Sequence, residues 1–296
     1  MTQPRLNIVG PGRVGSTLGR LLQQAGTCAV QDVVGENEAS AQSAIQFIGG
    51  GCALGAPDGI RPAELWLLTP HDAGIEAVAA ALAGTGSVRS GDIAFHCSGA
   101  LSSEVLAPLK AAGAYVASLH PLKSFADPAI AVTTFAGTYC AAEGDDAALK
   151  VISPLFEKLG ARVSRIDAAG KTLYHAGSVL VCNALTALME TGLRAYESAG
   201  LERAAAQAMM EPLVRETLDN VFALGTTRAL TGPVARGDAA VVARQLAALQ
   251  ALDPRIAEAY RALNDIALDL ARRQGGASAA ALDAVERSLK NTNKNI

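Results

Sequence analysis

Short apolar runs alternate with amphipathic segments through the first half of the chain. Leu6-Asn7-Ile8-Val9 reads as a buried strand that Gly10 ends. Val14, Leu18, Leu21 and Leu22 then recur at helical spacing, and Gly26 stands where a helix stops. Apolar runs predict further strands over 29–34, 52–54, 65–69, 92–97, 115–119, 138–142 and 162–166. Helical patterns over 40–48, 75–82, 103–112 and 145–159 lie between them. Strand and helix in turn predict an α/β fold, a doubly wound and mostly parallel sheet with helices on both faces.

The pattern changes after Asp167. Residues 168–199 read as one long helix ending at Gly200, and 202–224 as a second. Residues 230–237 form a loop punctuated by Gly232-Pro233, and Asp238 is placed to cap a helix running to Leu252. Pro254 starts another helix, which reaches about Arg273. A last amphipathic segment follows, with a polar tail from Lys290 that is expected to fray. The chain therefore divides into an α/β domain, 1–167, and an all-helical domain, 168–296. With no Gly/Ser linker at the boundary, the two are expected to be closely apposed.

Composition narrows the classes. Of 296 residues, 50% are hydrophobic and 18% charged, with a net charge of −3, which excludes a disordered chain and argues against nucleic-acid binding. No run of about 18 uncharged apolar residues is apparent, so no membrane span is expected. Met1 to Leu6 is too short and polar for a signal peptide. Cys28, Cys52, Cys97, Cys140 and Cys182 form no CxxC pair, so neither a metal site nor a disulfide framework is expected, and a cytoplasmic location fits scattered thiols.

The candidate chemistry starts at Gly10-Pro11-Gly12-Arg13-Val14-Gly15, a G-x-G-x-x-G between a strand and a helix. In a Rossmann-type domain the first glycine makes the tight turn. The second admits a pyrophosphate, and the third packs helix on strand. Glu36 lies 21 residues past Gly15, where a carboxylate accepts from adenosine ribose hydroxyls. No Lys or Arg falls between Arg20 and Arg61, which favours NAD over NADP, although Arg13 could serve a 2′-phosphate. Thr69-Pro70 and Ser98 end strands that would face the nicotinamide crevice; Ser98 is equally readable as a turn or helix-start residue. His96 and Cys97 read as core.

His120, in Ser118-Leu119-His120-Pro121, stands at a strand end, and its ordinary pKa near 6.5 suits proton transfer during hydride transfer. On the long helix, Lys171, His175, Ser178, Cys182 and Asn183 share one broad face, which lines either a wet cleft or a helix interface. His175 and Asn183, with Ser98, are candidates for orienting a substrate. Arg236 is a candidate for holding a carboxylate, with Lys123 second, because a guanidinium pairs bidentately; Arg236 pairing with Asp238 is the alternative.

G-P-G-R-V-G, H-C-S-G-A-L, S-L-H-P-L-K-S-F, Y-H-A-G-S-V-L-V-C-N and A-L-T-G-P-V-A-R-G-D, in this order, resemble a bacterial family of Rossmann-like oxidoreductases with a C-terminal helical domain of unknown function. Its members are described as deazaflavin-dependent NADP oxidoreductase-like. The family is similar in plan to pyrroline-5-carboxylate reductase and the 6-phosphogluconate-dehydrogenase-like enzymes. His120-Pro121 is similar to the His-Pro of prephenate dehydrogenase. The chain departs from the family where Glu36-Asn37-Glu38 replaces an Arg-Ser pair, and it lacks the Lys-x-x-x-Asn pair of β-hydroxyacid dehydrogenases, so no lysine proton donor is carried over. The resemblance implies an NADP- or NAD-dependent oxidoreductase acting on a C–O or C–N carbon of a small substrate, with or without a carboxylate. It also implies a homodimer formed through the helical half. A non-catalytic NAD(P)-binding regulator is the alternative reading.

Overall fold

The computed structural model describes residues 3–290, and the polar tail expected to fray lies almost wholly outside them. The chain separates into two compact units, Met1–Val181 and Cys182–Ile296.

The first unit holds an eight-stranded sheet. Its strands are β1 (Arg5–Val9), β2 (Ala29–Val34), β3 (Cys52–Leu54), β4 (Leu65–Leu68), β5 (Ile93–His96), β6 (Tyr115–Pro121), β7 (Tyr139–Gly144) and β8 (Arg162–Arg165). The order across the sheet is β3-β2-β1-β4-β5-β6-β7-β8, and only the β6–β7 pairing is antiparallel. The helices are α1 (Arg13–Gln24), α2 (Glu38–Ile48), α3 (Ile75–Gly84), α4 (Ala107–Ala111), α5 (Pro128–Thr133), α6 (Asp146–Lys158) and the start of α7 (Lys171–Ser198). The doubly wound α/β fold predicted from alternation is the fold found.

The central strands β1, β4 and β5 are largely apolar along both faces because both faces are covered. Leu6, Ile8, Leu65, Leu67 and Phe95 pack in one core with Leu18, Leu22 and Phe156. Phe95 and Phe156 meet edge to face at 6.1 Å. The intervening Val9, Trp66, Leu68 and Ala94 pack in the other with Ile75, Leu82 and Leu109.

The structure departs from the sequence expectations in several places. Antiparallel pairing with β7, with Ser118 opposite Glu143 and His120 opposite Ala141, carries β6 through Pro121. His120 is therefore a strand residue rather than the first residue after one. The helix expected over 103–112 is a 3₁₀ turn (Ser103–Leu106) followed by the short α4, with Pro108 in its first turn. The helix α5, capped by Asp127, was not anticipated; its Asp-Pro start is a legible signal. Residues 168–198 form a helix long and apolar enough by composition to cross a membrane, with a mean hydropathy of 1.3 over its best 18-residue window. The expectation that no such segment exists is corrected: uncharged Thr, Ser, His and Asn interrupt the run without lowering its mean enough.

The second unit is helical, with the rest of α7, then α8 (Arg203–Leu224), α9 (Thr226–Ala229), α10 (Ala239–Leu252), α11 (Pro254–Gln274) and α12 (Ala279–Lys290). Asp238 caps α10 through the Val241 N–H, as its position predicted. Its cores are small: Val234, Val242, Leu268, Leu282, Val285 and Leu289 form one, and Leu193, Ala206 and Met210 another. Large apolar side chains stay outside them, among them Leu180 and Val181 at the end of the first unit and Leu188, Met209, Leu213 and Phe222 in the second.

Candidate cofactor cradle and acid–base cluster

Gly10 leaves β1 with φ +78°, and a Cβ there would stand 2.4 Å from Pro70 N, so no other residue fits. Its N–H donates to the Val34 carbonyl at 2.9 Å, which ties the loop to the end of β2. Gly15 packs on β4: a Cβ would lie 2.3 Å from Thr69 Oγ1. Around Gly12, by contrast, nothing lies within 4 Å of a Cβ position. Gly12 is the N-cap of α1, with no side-chain cap and no acidic residue in the first turn. The N–H groups of Arg13, Val14 and Gly15 have no acceptor among the described residues. Open space, unpaired donors and the positive end of a helix dipole make an anion cradle. Glu36 is exposed just past β2, and the Asn37–Ser40 capping box of α2 fixes the chain there.

Thr69 is bound to this loop. Its hydroxyl donates to the Gly10 carbonyl at 2.8 Å, so it clamps the turn from beneath. Pro70 forms the floor under Gly10. Ser98 is buried, and its hydroxyl donates to Asp72 Oδ2 at 2.9 Å and accepts from the Ala100 and Leu101 N–H groups at 3.1 Å. Of its two readings, this geometry matches the turn-former. His96 is fully buried, bridging the Ser98 N–H and the Ser102 carbonyl, as a core histidine should.

His120 and His175 come together. Their rings are edge to face at 6.0 Å, and a Cβ on Gly99 would lie 2.6 Å from His175 Nδ1 and 2.8 Å from His120 Nε2. Only a glycine at 99 lets both imidazoles approach the chain after β5. His120 Nδ1 pairs with the Tyr174 hydroxyl at 3.1 Å, while His175 Nδ1 is buried and has no partner among the described residues. Below them lies a charged pair. Lys171 is 1% exposed and Glu143 2% exposed, with Nζ and Oε1 3.4 Å apart. The ammonium also donates to Ser118 Oγ, and Glu143 accepts from the Ser103 N–H and hydroxyl, each at 2.8 Å.

Burial, the Lys171 charge and then His175 lower the His120 pKa to about 4, with Asp72 acting against them. His120 is therefore a neutral imidazole at neutral pH, and the expectation of an ordinary value near 6.5 is corrected. His96 is likewise lowered to about 4, first by burial and then by Lys171. Burial raises the Tyr174 phenol to about 12, so it keeps its proton. Burial also lowers the Lys171 pKa, against the pull of Glu143.

The other candidates lie elsewhere. Lys123 Nζ is spent on the Thr134 carbonyl at 2.8 Å. Asn183 and Arg236 belong to the second unit and are exposed, and Arg236 does not pair with Asp238. Sequence reasoning missed Tyr174, Glu143, Ser118 and Asp72, and it set Lys171 aside. Two signals were present: Lys171, Tyr174 and His175 stand at i, i+3 and i+4, and Glu143 is a lone charge in an apolar strand.

Two family models match the chain. Residues 1–121 match the family model for a Rossmann-like domain, and 138–267 match that of a domain of unknown function, DUF2520. A Thermotoga maritima protein is similar at TM-score 0.72 and 26% identity, over 91% of this chain and 99% of that one. An imine reductase from Myxococcus stipitatus, solved with NADP+, is similar at TM-score 0.68 and 15% identity, over 97% of this chain and 100% of that one. A pyrroline-5-carboxylate reductase from Coxiella burnetii is similar at TM-score 0.56 and 13% identity, over 90% and 98%. No curated protein matches the sequence.

The buried histidines predict an acid-sensitive fold. His96 and His120 fall from 6.5 to about 4 in the folded state, so between those pH values the unfolded chain binds more protons. Stability is complete above pH 6.5 and drops as pH falls through the window, by up to about 1.4 kcal/mol per pH unit for each histidine. Urea midpoints measured from pH 7 to 4.5 should fall, and His120→Asn should flatten the curve. A level wild-type profile would refute the burial argument.

Proposed function

We propose that the protein is an NAD(P)-dependent oxidoreductase that transfers a hydride between nicotinamide and a C–O or C–N carbon of a small substrate. The observation that carries this reading is the cradle at Gly12, open and lined by unpaired backbone donors. The residues present fit a dinucleotide: Arg13, Val14 and Gly15 N–H groups for the pyrophosphate, and Glu36 for the ribose hydroxyls. Glu36 favours NAD, since a carboxylate there repels a 2′-phosphate. The similar imine reductase binds NADP+, and a deazaflavin is a further hydride partner implied by the resemblance. The bound cofactor supplies the hydride.

The chain's own part is the proton. His120 Nδ1 and the Tyr174 hydroxyl are 3.1 Å apart, and we assign the phenol, which keeps its proton, as the donor, which places the imidazole proton on Nε2. In the reducing direction Nε2–H donates to the substrate heteroatom. The Tyr174 proton passes to Nδ1, and solvent reprotonates the phenolate. His175 orients the substrate beside His120. Five free cysteines fit a reducing cytoplasm.

The cofactor assignment has a direct test. Gly12→Asp should leave the melting temperature unchanged, since the site is open, yet abolish NADH and NADPH binding by calorimetry. Trp66 is wholly buried and is no direct reporter. Equal binding by wild type and variant would remove the assignment.

Turnover is tested with a panel of 2-keto acids, imines and a deazaflavin. His120→Asn should keep cofactor affinity and lose ~10²–10⁴ in turnover, the range for a general acid or base. The wild-type rate should lose its His120-dependent limb only near pH 4, not near 6.5. Cofactor binding without turnover on any substrate would favour the non-catalytic regulator.

The helical unit should assemble. Phe222 is 86% exposed, and Met209 and Leu213 are each 56% exposed, more apolar surface than a monomer usually carries. We expect a homodimer, and Phe222→Glu should weaken it. Light scattering that shows a monomer at tens of micromolar, on the order of ordinary assay concentrations, would count against it.

A further inference from the structure

The buried pair Lys171–Glu143 has no part in holding a cofactor, yet it sits directly beneath the acid–base cluster. Ser118 and His120 are two apart on β6, so their side chains share one face of the sheet. Glu143 stands opposite Ser118 across the antiparallel pair. Lys171 reaches both members of that cross-strand pair, one by hydrogen bond and one by ion pair. The same residue opens α7, and Tyr174 and His175 follow it by three and four positions, on the same helix face. Glu143 is itself held by two donors from Ser103, so the anchor is fixed from a third segment.

We propose that Lys171 is a positioning residue for His120: its ammonium, bolted to Ser118 and Glu143, pins the first turn of α7 to β6 and β7 so that Tyr174 and His175 close on the imidazole. The fixed ammonium also opposes a second positive charge on the ring. This matters for function only if His120 is the proton-handling group, on which the proposal's catalytic meaning rests. The titratable groups around the pair are Lys171, Tyr174 and His175 from α7, Asp72 from the turn before α3, His96 and Cys97 at the end of β5, and Cys140 and Glu143 from β7. Of these, Lys171 is the ammonium that lowers His120, while Asp72 acts in the opposite sense.

Removing one partner of a buried ion pair strands the other, so the test removes both. Lys171→Met with Glu143→Gln keeps volume and lets Ser103 donate to the new amide. The readout is the imidazole proton resonance of His120, identified by its loss in His120→Asn and titrated from well below pH 4 up to pH 8 in the cofactor-free protein. The wild-type midpoint is expected at about 4. In the double variant it should rise by about one pH unit, toward the ordinary histidine value, and the Tyr174 contact should loosen. Lys171→Arg keeps the charge and should keep the wild-type midpoint. If the Met/Gln variant does not fold, Lys171→Gln with Glu143→Gln, an uncharged pair able to hydrogen-bond, takes its place. A folded uncharged variant with an unshifted midpoint would overturn the proposal, as would Lys171→Arg shifting the midpoint. The titration needs no substrate, so it stands apart from the turnover test: full activity in His120→Asn would sink the catalytic reading while leaving the charge relation intact.

Discussion

A lysine and a glutamate that are almost wholly out of water set the terms for the first unit. Desolvating two charges is expensive, and their attraction recovers that cost only when geometry is good and the remaining valences are filled. Here Ser118 accepts from the ammonium, and Ser103 supplies two donors to the carboxylate. The pair joins the start of α7 to the β6–β7 pairing. Two apolar residues in its place would make a comparable core but no fixed register between helix and strand. A charged pair has few acceptable arrangements, so it ties Lys171, Tyr174 and His175 to particular residues of β6 and β7.

The other end of the sheet is governed by close approach rather than charge. β1 and β4 are neighbours, and the chain leaving β1 must turn over Pro70. That demands a left-handed glycine at 10 and no side chain at 15, and Thr69 fills the space between with a hydroxyl bound to the turn. Gly12 is different in kind: no neighbour forbids a side chain there. A glycine that the fold does not need points to something outside the chain that does, and this separates a binding loop from a mere tight turn.

The fold was legible because its signals are local. Strand and helix alternation, the glycine loop, the left-handed stop at Gly26 and the Asp238 cap are each written within about ten residues. The extension of β6 was not, because it depends on pairing with a strand about twenty residues later. The site was half legible. His120 and His175 were visible as unusual residue types in apolar surroundings. Their partners were not, since Glu143, Ser118 and Tyr174 acquire meaning only when β6, β7 and α7 meet. Ser98 was readable two ways from sequence, and only the fold shows its hydroxyl bonded to its own turn and to Asp72.

The same convergence changes what His120 can do. An exposed histidine carries a proton part of the time at neutral pH and can release it outright. A histidine enclosed by α7, beside a fixed ammonium, does not hold that extra proton. Its useful hydrogen is the one on the neutral ring, and giving it up must be coupled to gaining another at Nδ1. The Tyr174 hydroxyl stands at that atom, and its raised pKa keeps it protonated. On the proposed reading, proton transfer at this site belongs to a two-residue unit, in which the tyrosine sets the tautomer and the histidine presents the proton. On that reading a substrate must develop enough negative charge on its heteroatom to draw the proton through both, as it would when a hydride arrives on the adjacent carbon.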